Sequence, residues 1–133
     1  MKILKSIVFV LAILFMGISL QNCGKLSASA VASALNAECP KDMGDGMTMK
    51  SVVAQDNNVV ATIEVGSEIL GALSLQDSKT IAKQIGQELK NEAKTDSDVD
   101  QLLTLINANM NVVYRFTDGT NNFDLTITKE EIQ

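Results

Sequence analysis

The sequence predicts an α+β fold: a four-stranded antiparallel sheet made of two hairpins, with helices packed mainly on one face. Three observations predict it. After the turn residues Asp56-Asn57-Asn58, Val59, Ala61, Ile63 and Val65 alternate with Val60, Thr62 and Glu64, and period two in β-branched residues marks a half-buried strand. Val112, Tyr114 and Phe116, then Phe123, Leu125 and Ile127, repeat that alternation on either side of Asp118-Gly119-Thr120-Asn121-Asn122, a strong hairpin turn. Between the hairpins, apolar residues recur at steps of three and four, as on the buried stripe of a helix. A sheet with one apolar face needs a cover, and amphipathic helices supply it.

Taken in order, the chain opens with Met-Lys-Ile-Leu-Lys and then runs uncharged from Ile7 to Leu20. Gln21, Asn22, Cys23 and Gly24 follow, and then the small residues Ser27-Ala28-Ser29-Ala30. A basic start, an apolar core and a small-residue zone are the design of a secretory signal. The apolar core is shorter than the roughly 20 residues a spanning helix needs. The sequence therefore reads as that of an exported bacterial protein, with residues 1–22 as a signal peptide of lipoprotein type. Residues 23–37 would form a tether or short helix, and residues 38–133 a single α+β domain.

Processing turns on Cys23. Lipoprotein signals end immediately before a cysteine that becomes the acylated first residue, and Leu20-Gln21-Asn22-Cys23 has that shape. Asn22 departs from the usual Gly, Ala or Ser, and Gln21 is also unusual. Cleavage after Ala30, with Ala28 and Ala30 as the small pair, yields a simply secreted or periplasmic soluble protein instead. A retained helix is the third outcome. The place of Cys23 at the end of the apolar core favours lipidation there, with palmitate-type acyl chains holding the protein to a membrane.

Composition narrows the partners. The 133-residue chain carries a formal net charge of −5. Losing residues 1–22 removes Lys2 and Lys5 and no acid, leaving nine basic against sixteen acidic side chains and a charge of −7. An acidic domain of about 110 residues suits one modest core. It lacks the positive charge that nucleic acid or a polybasic lipid contact requires. The expected partners are the membrane, through the N-terminal lipid anchor, and an envelope protein, with no nucleic acid and no cofactor.

Residues 24–37 carry a weak helical face, Leu26, Ala30, Val31, Ala34 and Leu35, with Ser27 placed to cap it. Residues 39–46, Cys-Pro-Lys-Asp-Met-Gly-Asp-Gly, read as a tight lead into the first strand, Met47 to Gln55. Asp42 and Asp45 are too few oxygens for calcium. Met43, Met47 and Met49 suggest thioether ligands for Cu(I), but strand alternation explains two of them as core. Residues 66–76 are the least readable stretch, a helical turn or an apolar connection around Ile69, Leu70, Leu73 and Leu75.

Two helices are clearer. Ser74 and Asp77 form a capping box ahead of Ile81, Ala82, Ile85 and Leu89, with Ser78 as an alternative start. Ser97 and Asp100 do the same ahead of Val99, Leu102, Leu103, Ile106 and Met110. Asp98 and Asp100 suit the positive end of that helix better than they suit acid/base chemistry.

Most catalytic chemistry is excluded by the absence of histidine. That rules out Ser-His-Asp triads, Cys-His pairs and HExxH zinc sites. Walker and dinucleotide fingerprints are also missing. Cys39, just before Pro40, reads as a small buried hydrophobe, with intermolecular pairing and a reactive thiol as alternatives. Tyr114 and Arg115 are the only residues of their kinds, and as strand neighbours they point to opposite faces. No residue is assigned a catalytic, cofactor or metal role. The reading is a non-enzymatic envelope lipoprotein acting as a contact or binding module. The alternative is a small periplasmic hydrolase or ligand-processing domain using carboxylates or Cys39.

Asn36-Ala37-Glu38-Cys39-Pro40, with Gly44-Asp45-Gly46-Met47-Thr48 and Ser51-Val52, resembles a segment of small exported bacterial proteins, envelope lipoproteins of uncharacterised function that carry an Asn-x-x-Cys-Pro run. The resemblance extends over residues 36–128. It implies an α+β domain in the cell envelope and brings no catalytic residues with it.

Overall fold

The computed structural model describes residues 27–44 and 46–133. The expected leader and Cys23 lie outside the described residues, as does Asp45. Helix α1 spans Ala28–Asn36, followed by strands β1 (Lys41–Gly44), β2 (Met47–Gln55) and β3 (Asn58–Glu64). Three helices come next, α2 (Ser67–Ser74), α3 (Ser78–Ala93) and α4 (Ser97–Asn107). Strands β4 (Asn111–Thr117) and β5 (Asn122–Ile127) close the order.

The five strands form one sheet in the order β1-β2-β3-β4-β5. Neighbours are antiparallel except β3 and β4, which run parallel, from Asn58 beside Asn111 to Glu64 beside Thr117. This corrects the expected four-stranded antiparallel sheet of two hairpins. Both hairpins exist, but they are joined side by side through a parallel pair. The chain leaves the end of β3, passes through three helices and returns to the start of β4, and such a crossover delivers the next strand parallel to the first. The fifth strand comes from the Cys-Pro-Lys-Asp-Met-Gly stretch expected to be a connection. Lys41 and Asp42 pair with Met49 and Thr48, and the register shifts before Gly44 pairs with Met47. Gly44 (φ +82°) and Gly46 (φ +78°) occupy backbone that L side chains rarely adopt.

Register explains the core. Val59, Val112 and Ile127 form one row across the central strands, and Ala61, Tyr114 and Leu125 form the next. Ile63 and Phe116 follow, and all eight side chains are buried. Met47, Met49 and Val52 extend this face into β2, where an irregularity between Met49 and Ser51 keeps both Met49 and Val52 inward. Helix α1 packs against β2 and β3, and α3 packs against β5 and α4. Their buried stripes, Val31 and Leu35 on α1, Ile81, Ile85 and Leu89 on α3, and Val99, Leu102 and Ile106 on α4, join the same apolar cluster.

Capping sets the helix starts. Ser27 accepts a hydrogen bond from the Ala30 N–H at 3.2 Å. Asp77, not Ser74, caps α3 by accepting from Lys79 N–H at 3.2 Å, and Ser74 is the last residue of α2. Asp96, not Ser97, caps α4, accepting from Asp98 N–H at 2.9 Å and Val99 N–H at 3.3 Å. In each case the cap is a carboxylate immediately before the first helical residue, Ser78 or Ser97, where it accepts from orphan N–H groups and adds charge complementary to the helix end.

The C-terminal segment docks on α3. Ile132 is buried, and the Glu131 carboxylate accepts from Thr128 N–H at 2.8 Å and from the Thr128 hydroxyl at 2.7 Å. Gly86, in the middle of α3, gives that backbone room to approach.

Candidate functional site

Side chains alternate across a strand, so the core rows leave a second face to the sheet. Serine, threonine, valine and charged residues populate it. Val53, Val60 and Val113 fall on one row through β2, β3 and β4, with Thr126 completing it on β5. Ser51, Thr62, Arg115 and Asp124 make the adjacent row. Val60 is buried, Val113 is half-buried, and Val53 is 44% exposed, one of two large hydrophobic residues that stand out in solvent among the described residues. The other is Leu75, 86% exposed, just past the end of α2.

The polar row is internally tied. Arg115 Nε lies 3.2 Å from Asp124 Oδ1, and Nη2 lies 3.4 Å from Oδ2. This two-point geometry is the favoured one for a guanidinium and a carboxylate. Because the pair is solvent-exposed, its contribution to stability is small. Arg115 is therefore engaged by a cross-strand neighbour. Tyr114 points the other way and is fully buried, and burial pushes its hydroxyl pKa up.

Beside this face, a cleft of about 360 Å³ opens between the first turn of α3, the β4–β5 end of the sheet and the C-terminal segment. Ser78, Lys79, Asn111, Asp124, Thr126 and Lys129 contribute to its walls. Its size falls in the range of small-molecule sites. Its chemistry is that of ordinary surface: Asp124 is held by Arg115, and Glu131, another wall residue, is held by Thr128. Ser78 and Lys79 sit at a capped helix start, as their sequence context indicates.

The other candidates are dispersed. Cys39 is partly buried, and its Sγ donates to the Leu35 carbonyl at 3.6 Å. Burial pushes its thiol pKa up, Glu38 adds to the rise, and Lys41 opposes it. That is the reverse of what activates a nucleophilic thiol. Met47 and Met49 lie fully inside the core, and Met43 packs against its rim. Asp42 accepts from the Gly44 N–H at 2.9 Å, which assigns it to the turn. Among the described residues, no group of three or more His, Cys, Asp or Glu side chains is arranged to hold a metal ion.

One carboxylate stands out that sequence reading assigned only to a turn. Asp118 Oδ1 accepts from Thr120 N–H at 2.9 Å and Asn121 N–H at 2.7 Å, and Oδ2 accepts from the Ser67 hydroxyl at 3.3 Å. The two backbone bonds and then the serine hold its pKa below the ordinary value. Asp118 thus links the β4–β5 turn to the first residue of α2. The Asp118-Gly119 pair signalled the turn, but nothing in the sequence indicated Ser67 as a partner.

Comparison with known proteins bears on the fold. No protein-family model matches the chain, and no curated protein matches it. Among solved structures, it resembles a Pseudomonas aeruginosa protein that carries the provisional description of a secreted protein. The match has a TM-score of 0.60 at 13% sequence identity, covering 80% of this chain and 89% of the other. At that identity the likeness establishes a shared architecture. Among the described residues, no helix is long and apolar enough to cross a membrane.

Proposed function

We propose that this chain is an exported bacterial protein that works by contact, through the uncovered face of its sheet, and not by catalysis. The observation that carries the reading is Val53, 44% exposed, on a row it shares with the half-buried Val113 and the buried Val60, beside the Arg115–Asp124 pair. A small apolar strip rimmed by hydroxyls and a fixed ion pair has the composition of a modest protein-contact surface. Export is supported by the leader-like start of the sequence and by the description attached to the architecturally similar Pseudomonas protein. Attachment to a membrane through acylated Cys23 is part of the proposal and rests on the sequence around that residue.

Photo-crosslinking in intact cells tests the contact surface. A photoreactive side chain at Val53 is expected to give a discrete protein adduct that the same side chain at Leu75 does not give. Val113→Lys, on the same row, should abolish the adduct while leaving the far-ultraviolet circular dichroism unchanged. Equal adducts from both positions, or an adduct indifferent to Val113→Lys, would remove the uncovered face from consideration.

A further inference from the structure

We infer that the leader is removed N-terminal to Ser27, so that Ser27-Ala28-Ser29-Ala30 stays in the mature protein. The inference rests on the export reading above and deepens it. By sequence alone, Ala28 and Ala30 are the small pair of a cleavage zone. In the fold, they are the first turn of α1. Ser27 caps that turn through the Ala30 N–H, and Val31 N–H donates to the Ser27 carbonyl at 3.0 Å. Ala28 is 5% exposed and Val31 is 0% exposed.

Cutting the Ala30–Val31 bond would therefore remove the cap, the buried Ala28 and the acceptor of the Val31 N–H together. It would also leave a new ammonium at Val31, at the positive end of a helix and against the apolar core. Both placements are unfavourable for a cation. Helix α1 is not a dispensable arm. It covers β2 and β3, and the Asn36 side chain at its end accepts from the Val52 N–H of β2 at 3.0 Å. The small side chain of Ala28 has its own structural reason, because it is buried in the first turn of α1.

Cleavage upstream satisfies the fold without cost to α1. The Asn22–Cys23 bond meets this condition. It would leave four residues, 23–26, before Ser27, a span of at most about 14 Å at ~3.5 Å per residue.

The full chain, expressed with its own leader in an exporting bacterium, tests this by intact mass and N-terminal sequencing. A mature chain starting at or before Ser27 is expected. A chain starting at Val31, or at any residue after Ser27, overturns the inference and leaves export standing. A chain retaining Met1 in the membrane fraction overturns the inference and makes the leader a retained helix, whereas one retaining Met1 in the cytoplasm overturns the export reading as well. Ala30→Gln adds a second readout. The position is half-buried on a helix, and glutamine would block a small-residue cleavage site at Ala30. Unchanged processing is expected, and accumulation of unprocessed protein would show that Ala30 is the cleavage determinant.

Discussion

Replacing Gly86 with alanine sets two physical effects against each other. In an ordinary helix interior, Gly→Ala stabilises by about 1 kcal/mol. Here a Cβ at position 86 would run into the Glu131 carbonyl oxygen, 2.8 Å from its carbon and 3.2 Å from the Glu131 Cβ. Those atoms are mostly backbone, so the C-terminal segment itself must move. What holds that segment is chiefly Ile132, 5% exposed, with long hydrogen bonds of 3.5 Å from the Gln87 amide to the carbonyls of Glu131 and Gln133. Releasing Ile132 forfeits about 1.5–3 kcal/mol of apolar burial, against a helix gain of about 1, so the net loss is about 0.5–2 kcal/mol. For a domain of this size that lowers Tm by about 2–8 °C. Urea unfolding followed by circular dichroism measures the loss. The sharper result comes from a double-mutant cycle. In an Ile132→Ala background the segment is already loosened, so Gly86→Ala should there be neutral or stabilising, and the two changes should be strongly non-additive. A Gly86→Ala variant about 1 kcal/mol more stable than the parent, with no coupling to Ile132, would refute the docked segment.

Three further outcomes are expected. Asn36→Ala leaves the Val52 N–H, on β2 beyond its pairing with β1, without its side-chain acceptor and should cost about 0.5–1.5 kcal/mol in urea unfolding; no change would mean that the bond adds nothing. The depressed pKa of Asp118 contributes stability above the unfolded carboxylate pKa, about 3.9, and that stability is lost as pH falls through the lower folded value. Asp118→Asn should therefore flatten the acid limb of a stability-versus-pH curve, and an unaltered limb would count against the Thr120, Asn121 and Ser67 bonds. Native Cys39 should react with a thiol reagent more slowly than the unfolded chain at pH 8, and its rate should rise with pH through a midpoint above the ordinary thiol value. Equal rates in the two states would show an accessible thiol.

The sequence by itself determined the local structure wherever a period repeats. β-branched alternation marked β3, β4 and β5, the Asp56-Asn57 and Asp118-Gly119 turns marked both hairpins, and the three-four spacing from Ile81 to Leu89 and from Val99 to Ile106 marked α3 and α4. These signals are short-range, so a single stretch of chain carries each one whole. Two features are less legible. The four residues of β1 are too few to show an alternation, and Cys39-Pro40 with Gly44 and Gly46 read as a connection. The helix Ser67–Ser74 reads from the sequence as either a helical turn or an apolar connection, because Gly71 lowers helical propensity where packing of Leu70 and Leu73 supplies the stability instead.

How the hairpins meet was set by long-range pairing. The β3–β4 pairing joins residues more than fifty positions apart, and no local pattern distinguishes a parallel seam from an antiparallel one when both strands offer the same valines. The candidate surface depends on that seam. Val53, Val60 and Val113 become neighbours because β4 lies beside β3 in one register, and a slip of one residue would turn Val113 inward and Tyr114 outward. The proposal for Ala28 and Ala30 also draws on tertiary packing. Small residues suit both recognition by a processing enzyme and the first turn of a packed helix, and the packing of α1 on β2 and β3, with Val31 fully enclosed, is what favours the second in the inference drawn above.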